Sequence, residues 1–209
     1  MLMNNIQSIK IRSFFKLCLI LLIFIIFILP EKIYSKPTKK NKKPVWQIDL
    51  EESYIYFEVP TIFNTIKGKM DHFFVRNFKY KGYYKSLRNN ELWIPVNSIT
   101  TNSPYRDEGI RSEFFLNEKK YPYIKIKVLN IYPFNIQENY YFVDLEIEIK
   151  NIKKVYKDIV YIQQRWNKVI AKGETILSRS DFNLYGNIIL NFFLSDKIII
   201  KYNIVIIYK

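Results

Sequence analysis

The sequence predicts an all-β protein, an antiparallel eight-stranded barrel with one short helical insertion. Three observations point to it. From residue 45 onward apolar and polar residues alternate over long runs, the pattern of strands with one dry and one wet face. The chain is rich in Ile, Tyr and Phe but holds a single alanine, Ala171, and five glycines, which argues against helical bundles and coiled coils. Finally, about eight strands of this length would leave long sticky edges in an open sheet, and closing the sheet removes them.

Taken in order, residues 1–16 carry Lys10, Arg12 and Lys16 without an acidic residue, and an unbroken apolar run follows at 17–29. Thirteen helical residues reach only about 20 Å against a hydrocarbon core of roughly 30 Å. That is the length of a signal-peptide core rather than of a full span, with Ser35 as the small residue before a cut. Residues 1–35 therefore read as an export signal and place the protein in the periplasm or outside the cell. An uncleaved signal would leave it membrane-anchored. Cys18 lacks the small residues that a lipoprotein box needs just before its cysteine. Residues 36–44 form a basic tether with five lysines, which reads as a solvated linker with the capacity for peripheral contact with an anionic membrane surface. Residues 45–209 form the single domain.

Within that domain residues 52–59 set Ser53, Ile55, Phe57 and Val59 against Tyr54, Tyr56 and Glu58. Residues 123–128 set Ile124, Ile126 and Val128 against lysines, and 142–150 set Val143, Leu145, Ile147 and Ile149 against Asp144, Glu146, Glu148 and Lys150. Residues 198–206 repeat the pattern with Ile198, Ile200, Tyr202, Ile204 and Ile206. Further strands are expected at 66–75, 78–85, 91–97, 155–163 and 169–177, with turns at Asn89-Asn90 and Asn151. The outer faces carry Lys and Glu rather than an apolar band with aromatic girdles, so the barrel is expected to be soluble. Ser103-Pro104 can open a helix, with Ser as cap and Pro at the first position. Ile110 and Phe114, then Arg111 and Phe115, keep helical spacing before Tyr121-Pro122 ends it. This helix is expected to cover one barrel end.

Composition removes much chemistry. One cysteine and one histidine exclude an internal disulfide, a Cys-based zinc site and a histidine cluster. No Gly-rich phosphate loop, nucleophile elbow or metal-spaced cluster occurs. The net charge of +14 comes with a general enrichment in Lys and Asn, and no segment combines Arg with exposed aromatics as a nucleic-acid surface would. Arg106-Asp107 and Arg179 with Asp181 read as capping and ion-pair elements, since no nucleophile or base accompanies them. His72 reads as a partly exposed structural residue. Asp144, Glu146 and Glu148 read as a solvated face. No enzyme, cofactor or metal is expected.

Several segments match, in order, a known family. Trp46-Gln47-Ile48-Asp49, Ser53-Tyr54-Ile55-Tyr56-Phe57 and Ile66-Lys67-Gly68-Lys69-Met70 resemble its opening strands. Ser98-Ile99-Thr100-Thr101, Arg106-Asp107-Glu108-Gly109-Ile110 and Ser112-Glu113-Phe114-Phe115 are similar to its Ser-Ile-x-Thr, Arg-Asp-x-His-Leu and Ser-x-x-Phe-Phe series. Tyr121-Pro122, Ile147-Glu148-Ile149-Lys150-Asn151 and Arg179-Ser180-Asp181-Phe182 follow at the expected places. The chain thus resembles the YceI-like family of exported, lipocalin-like barrels that bind polyisoprenoid lipids, across residues 45–209. It departs from the pattern where family members carry histidine: here stand Glu52, Pro60 or Thr61, and Gly109.

Alternation alone leaves two readings of the inward row. Ile55, Phe57, Val59, Ile124, Ile126, Val128, Val143, Leu145, Ile147, Ile149, Ile200, Tyr202 and Ile204 either pack a closed core or line a tube. The resemblance implies the tube, with a polyisoprenoid or another long-chain lipid as ligand, and leaves a homodimer open. The alternative is a solid barrel whose outer tyrosines (Tyr54, Tyr56, Tyr83, Tyr84 and Tyr123) meet a protein partner.

Overall fold

The structure, a computed structural model, describes residues 45–76, 78–186 and 192–209. The readings of residues 1–35 and 36–44 lie outside them. Eleven strands form one antiparallel sheet: β1 (Trp46–Ile48), β2 (Tyr54–Pro60), β3 (Thr65–Met70), β4 (Phe74–Arg76), β5 (Glu91–Pro95), β6 (Ile99–Thr100), β7 (Tyr123–Asn135), β8 (Tyr140–Ile149), β9 (Ile152–Arg165), β10 (Lys168–Ser178) and β11 (Lys197–Tyr208). Among the described residues a two-turn α-helix, α1 (Pro104–Arg111), interrupts them. The sheet order is β4-β5-β7-β8-β9-β10-β11-β2-β3-β6, with β1 added to β11. β5 and β6 are one stretch of chain bent by a 3₁₀ turn at Val96–Ser98, so the sheet curls until its two ends meet through the chain itself.

The expected pattern is present, but the described residues form eleven strands rather than eight, because short strands β1, β4 and β6 add to the sheet. Three further corrections apply. Residues 66–75 divide into β3 and β4, because the Asp71 amide donates to the Ser98 carbonyl and the Ser98 hydroxyl to that of His72. Residues 78–85 form no strand. The Asn90 carboxamide accepts from the Lys79 amide at 2.7 Å and donates to its carbonyl at 2.9 Å, while Ser86 Oγ accepts from the Lys81 amide. Side chains there take the backbone groups that a ladder would use, and Gly82 turns the chain at φ +85°. The helix ends at Arg111, a turn earlier than its spacing suggested, and Ser103 makes no side-chain cap. The turns fall where asparagine predicted them. Lys150 and Asn151 both adopt left-handed backbone (φ 54° and 62°), the geometry of a tight hairpin, and Asn89 does likewise at 63°.

The outer wall is charged. Lys125 pairs with Glu148 at 2.7 Å, Lys153 with Glu146 at 3.1 Å, and Lys201 with Glu58 at 3.3 Å. This confirms Glu146 and Glu148 as an outer face and is the reverse of a lipid-facing apolar band. Asp144 accepts from Asn130. Among the described residues no helix is long and apolar enough to cross a membrane.

Candidate functional site

The inward faces surround a cavity of about 670 Å³ running through the barrel. All thirteen inward residues named from the sequence stand in its wall. Pairing explains why. Ile55 faces Tyr202, Phe57 faces Ile200 across β2–β11, and Ile126 faces Ile147 across β7–β8. A period of two then keeps every second side chain inside. Ile55, Ile124, Val143, Ile147 and Ile149 are buried, whereas Ile126, Val128, Leu145, Ile200 and Tyr202 are only half-buried although they point inward. They pack against the buried core on one side and border the cavity on the other. A barrel packed solid does not fit a cavity of this size. Tyr84, expected outside, instead packs on Tyr141 with ring centroids 4.8 Å apart.

The wall also includes residues that sequence reasoning left unassigned. Val160 and Ile162 on β9 and Val169, Ala171, Thr175 and Leu177 on β10 line it. Both strands alternate in the sequence, but alternation alone does not say which phase points inward. Helix α1 contributes Tyr105, Arg106, Glu108, Gly109 and Ile110. Among the described lining residues, Tyr105, Arg106, Glu108 and Gly109 are the exposed ones, so the cavity opens beneath α1. A side chain added at Gly109 would meet nothing within 4 Å.

The Arg-Asp pairs support this mouth. Asp107 is buried and accepts from the Thr101 amide at 2.7 Å, the Thr101 hydroxyl at 2.6 Å and the Thr100 hydroxyl at 2.9 Å. Burial works against its carboxylate, but these bonds outweigh it and hold Asp107 below the ordinary carboxylate range. Arg106 donates to the Thr101 hydroxyl and carbonyl, so the two side chains meet on Thr101 rather than forming a cap. Arg179, 5% exposed, donates to the carbonyls of Leu184, Leu194 and Ser195 and ties the β10–β11 connection together. Asp181 accepts from Tyr156 at 2.7 Å. Burial, reinforced by that bond, pushes the Tyr156 phenol up to about 12. His72 is exposed, and its carbonyl accepts from Ser98. No group of metal-ligating side chains occurs among the described residues.

One polar cluster was not foreseen. Backbone pairing between β9 and β10 covers only Tyr161–Arg165 with Lys168–Lys172, and beyond it the strands part. Asp158 reaches across from the inner face of β9. It accepts from Thr175 on β10 and, at 2.8 Å, from Tyr202 on β11. Burial first, then the neighbouring carboxylate, raises the Tyr202 phenol well above its ordinary value. Gly173 is required here, because a Cβ would stand 2.5 Å from the Tyr202 hydroxyl. A carboxylate between Lys157 and Ile159 carries no sequence signal of a contact two strands away.

These features decide the family. The sequence pattern of the YceI-like domain matches residues 46–206. The chain belongs to the YceI-like family. Its fold is similar to that of Burkholderia cenocepacia BcnA, with a TM-score of 0.67 at 19% identity over 76% of this chain and 98% of that one. It is also similar to a polyisoprenoid binding domain from Saccharophagus degradans implicated in plant cell wall breakdown (TM-score 0.63, 13% identity, 80% and 100% covered). The Campylobacter jejuni YceI protein gives a TM-score of 0.57 at 16% identity over 69% and 85%. No curated protein sequence matches. The YceI-like fold is thus shared at sequence identities of 13% to 19%.

Proposed function

We propose that this YceI-like chain is a lipid carrier that holds a polyisoprenoid, or a similarly long apolar chain, in its barrel for transport, storage or shielding, and that it catalyses no reaction. The aliphatic cavity is the observation that carries the reading. Sealed and dry, a void of this size would cost about 16 kcal/mol at about 24 cal/mol per Å³, as much as the whole stability of a typical domain. Such a space is best occupied. Each isoprene unit buries five carbons, worth on the order of 4 kcal/mol at roughly 0.8 per carbon, so a tail can be held without specific hydrogen bonds. The polyisoprenoid binding of the Saccharophagus degradans domain supports the ligand class.

The basic stretch and apolar run of residues 1–29 support export, with Ser35 as the last residue removed. Sequencing the N-terminus of protein recovered from outside the cytoplasm tests this: Lys36 as first residue is expected, and a retained residue 1 contradicts it. For the ligand, organic extraction of purified protein should release a prenyl lipid in about equal amount to the chain. Protein that yields none, and does not take up a prenyl quinone from detergent, contradicts the reading.

A further inference from the structure

We propose that the rim beside the cavity mouth is a membrane-docking surface, which inserts into the headgroup–acyl boundary of a lipid bilayer and presents the open barrel to it. The inference rests on the lipid-carrier reading and names the partner from which the ligand comes.

The rim is a rigid display of apolar side chains. In the turn between β2 and β3, the Thr61 hydroxyl donates to the Asn64 carbonyl at 2.8 Å and accepts from the Phe63 and Asn64 amides. The Thr61 amide donates to the same carbonyl at 2.7 Å. A second clamp joins the turn to the segment before β11. The Ile62 amide donates to the Phe193 carbonyl, the Ser195 amide to that of Pro60, and Thr61 bridges Leu194. Held this way, Ile62 is 58% exposed, Phe63 81% and Phe192 76%, with the Phe63 and Phe193 rings 5.6 Å apart. A turn this well bonded does not bring its apolar side chains outward through looseness.

The rim is continuous with the cavity. Val59 and Ile66 flank the turn, and Leu194 lies opposite it; all three stand in the cavity wall. Tyr105, 87% exposed, borders the mouth on α1 at the same barrel end. Apolar side chains also protrude at the opposite end, at Ile136 and Trp166, but neither lines the cavity. An apolar ligand crosses water at a cost that grows with every carbon, so the mouth must meet the phase in which the ligand dissolves. A bilayer is that phase. Surface-seeking apolar residues of this kind bury in its interfacial layer.

The test uses the full chain with vesicles of phosphatidylethanolamine and phosphatidylglycerol containing brominated acyl chains. The indole introduced by Phe63→Trp should be quenched on vesicle addition, whereas that introduced by Ile136→Trp at the far end should not. Equal quenching at both positions, or none at Phe63→Trp, overturns the proposal. In a second arm, the triple variant Ile62→Ser, Phe63→Ser, Phe192→Ser should accept a fluorescent prenyl lipid from vesicles about tenfold more slowly, yet load it fully from detergent micelles. Unchanged transfer from vesicles also overturns the proposal. Failure of the unsubstituted chain to load from micelles would instead sink the carrier reading, while the quenching arm still decides docking.

Discussion

The two ends of the barrel use the same kind of residue in opposite ways. At the end opposite α1, Trp46 lies against Phe78, Tyr80 and Tyr208 with ring centroids 5.2 to 5.5 Å apart, and Tyr84 packs on Tyr141 with its ring tilted. These rings plug the barrel over a cluster that includes Leu87, Ile131, Val160 and Val169. At the α1 end, Phe63, Tyr105, Phe114 and Phe192 are turned to solvent, and the floor beneath them is open. Aromatic content therefore does not separate plug from mouth. What separates them is what holds the backbone: ring on ring at one end, and hydrogen-bonded turns with buried Asp107 and Arg179 at the other.

The comparison can be broken most sharply from inside. Replacing Ile147 by Trp fills the channel common to both ends and should abolish lipid uptake, with the fold kept at a cost of about 1–3 kcal/mol for overpacking. Uptake of a prenyl quinone followed by fluorescence, beside a urea melt, checks both halves. At the plugged end Trp46→Ala should cost about 3 kcal/mol in the same melt, because the ring is the common partner of three others. Asp107→Ala should cost about 2 kcal/mol by leaving the Thr100 and Thr101 donors unpaired, and hydrogen exchange should rise around α1 rather than around Trp46.

Acid should tell the ends apart as well. Asp107 and Asp196 both titrate below the ordinary carboxylate value of 3.8, since hydrogen bonds from Thr101 and Ser180 outweigh their burial. A depressed folded value gives stability that is present above the unfolded value and lost as pH falls through the folded one. Exchange measured from pH 5 downward should therefore accelerate first at the α1 end, where both carboxylates lie. At alkaline pH the sign reverses. Tyr156 and Tyr202 are raised, so their contribution is full below about pH 10 and lost as pH climbs through the folded values. The smallest effect is expected from Gly109→Trp, which should narrow the mouth and slow lipid exchange several-fold with no change in the melt.

Much of this arrangement was legible in the sequence. Strict alternation at 142–150 and 198–206 assigned the inward row, because a period of two leaves a strand face no freedom once one side is dry. The split of 66–75 and the loss of a strand at 78–85 were not legible. Both depend on side chains far along the chain, Ser98 for the first and Asn90 for the second, taking backbone bonds that composition alone assigns to a ladder. The parting of β9 from β10 was hidden for the same reason, since Asp158 finds Thr175 and Tyr202 only after folding. Gly109 was visible as a departure from the family pattern, but its meaning as an uncovered mouth needed the geometry of α1.

The central claim is that the aliphatic interior holds a lipid. Native mass spectrometry of the purified chain, beside its Ile147→Trp variant, tests it most directly. The account predicts a one-to-one hydrophobic adduct of several hundred daltons on the unsubstituted chain and a bare mass for the variant. A bare mass for both after incubation with prenyl quinones and fatty acids, or the same adduct on both, would contradict it.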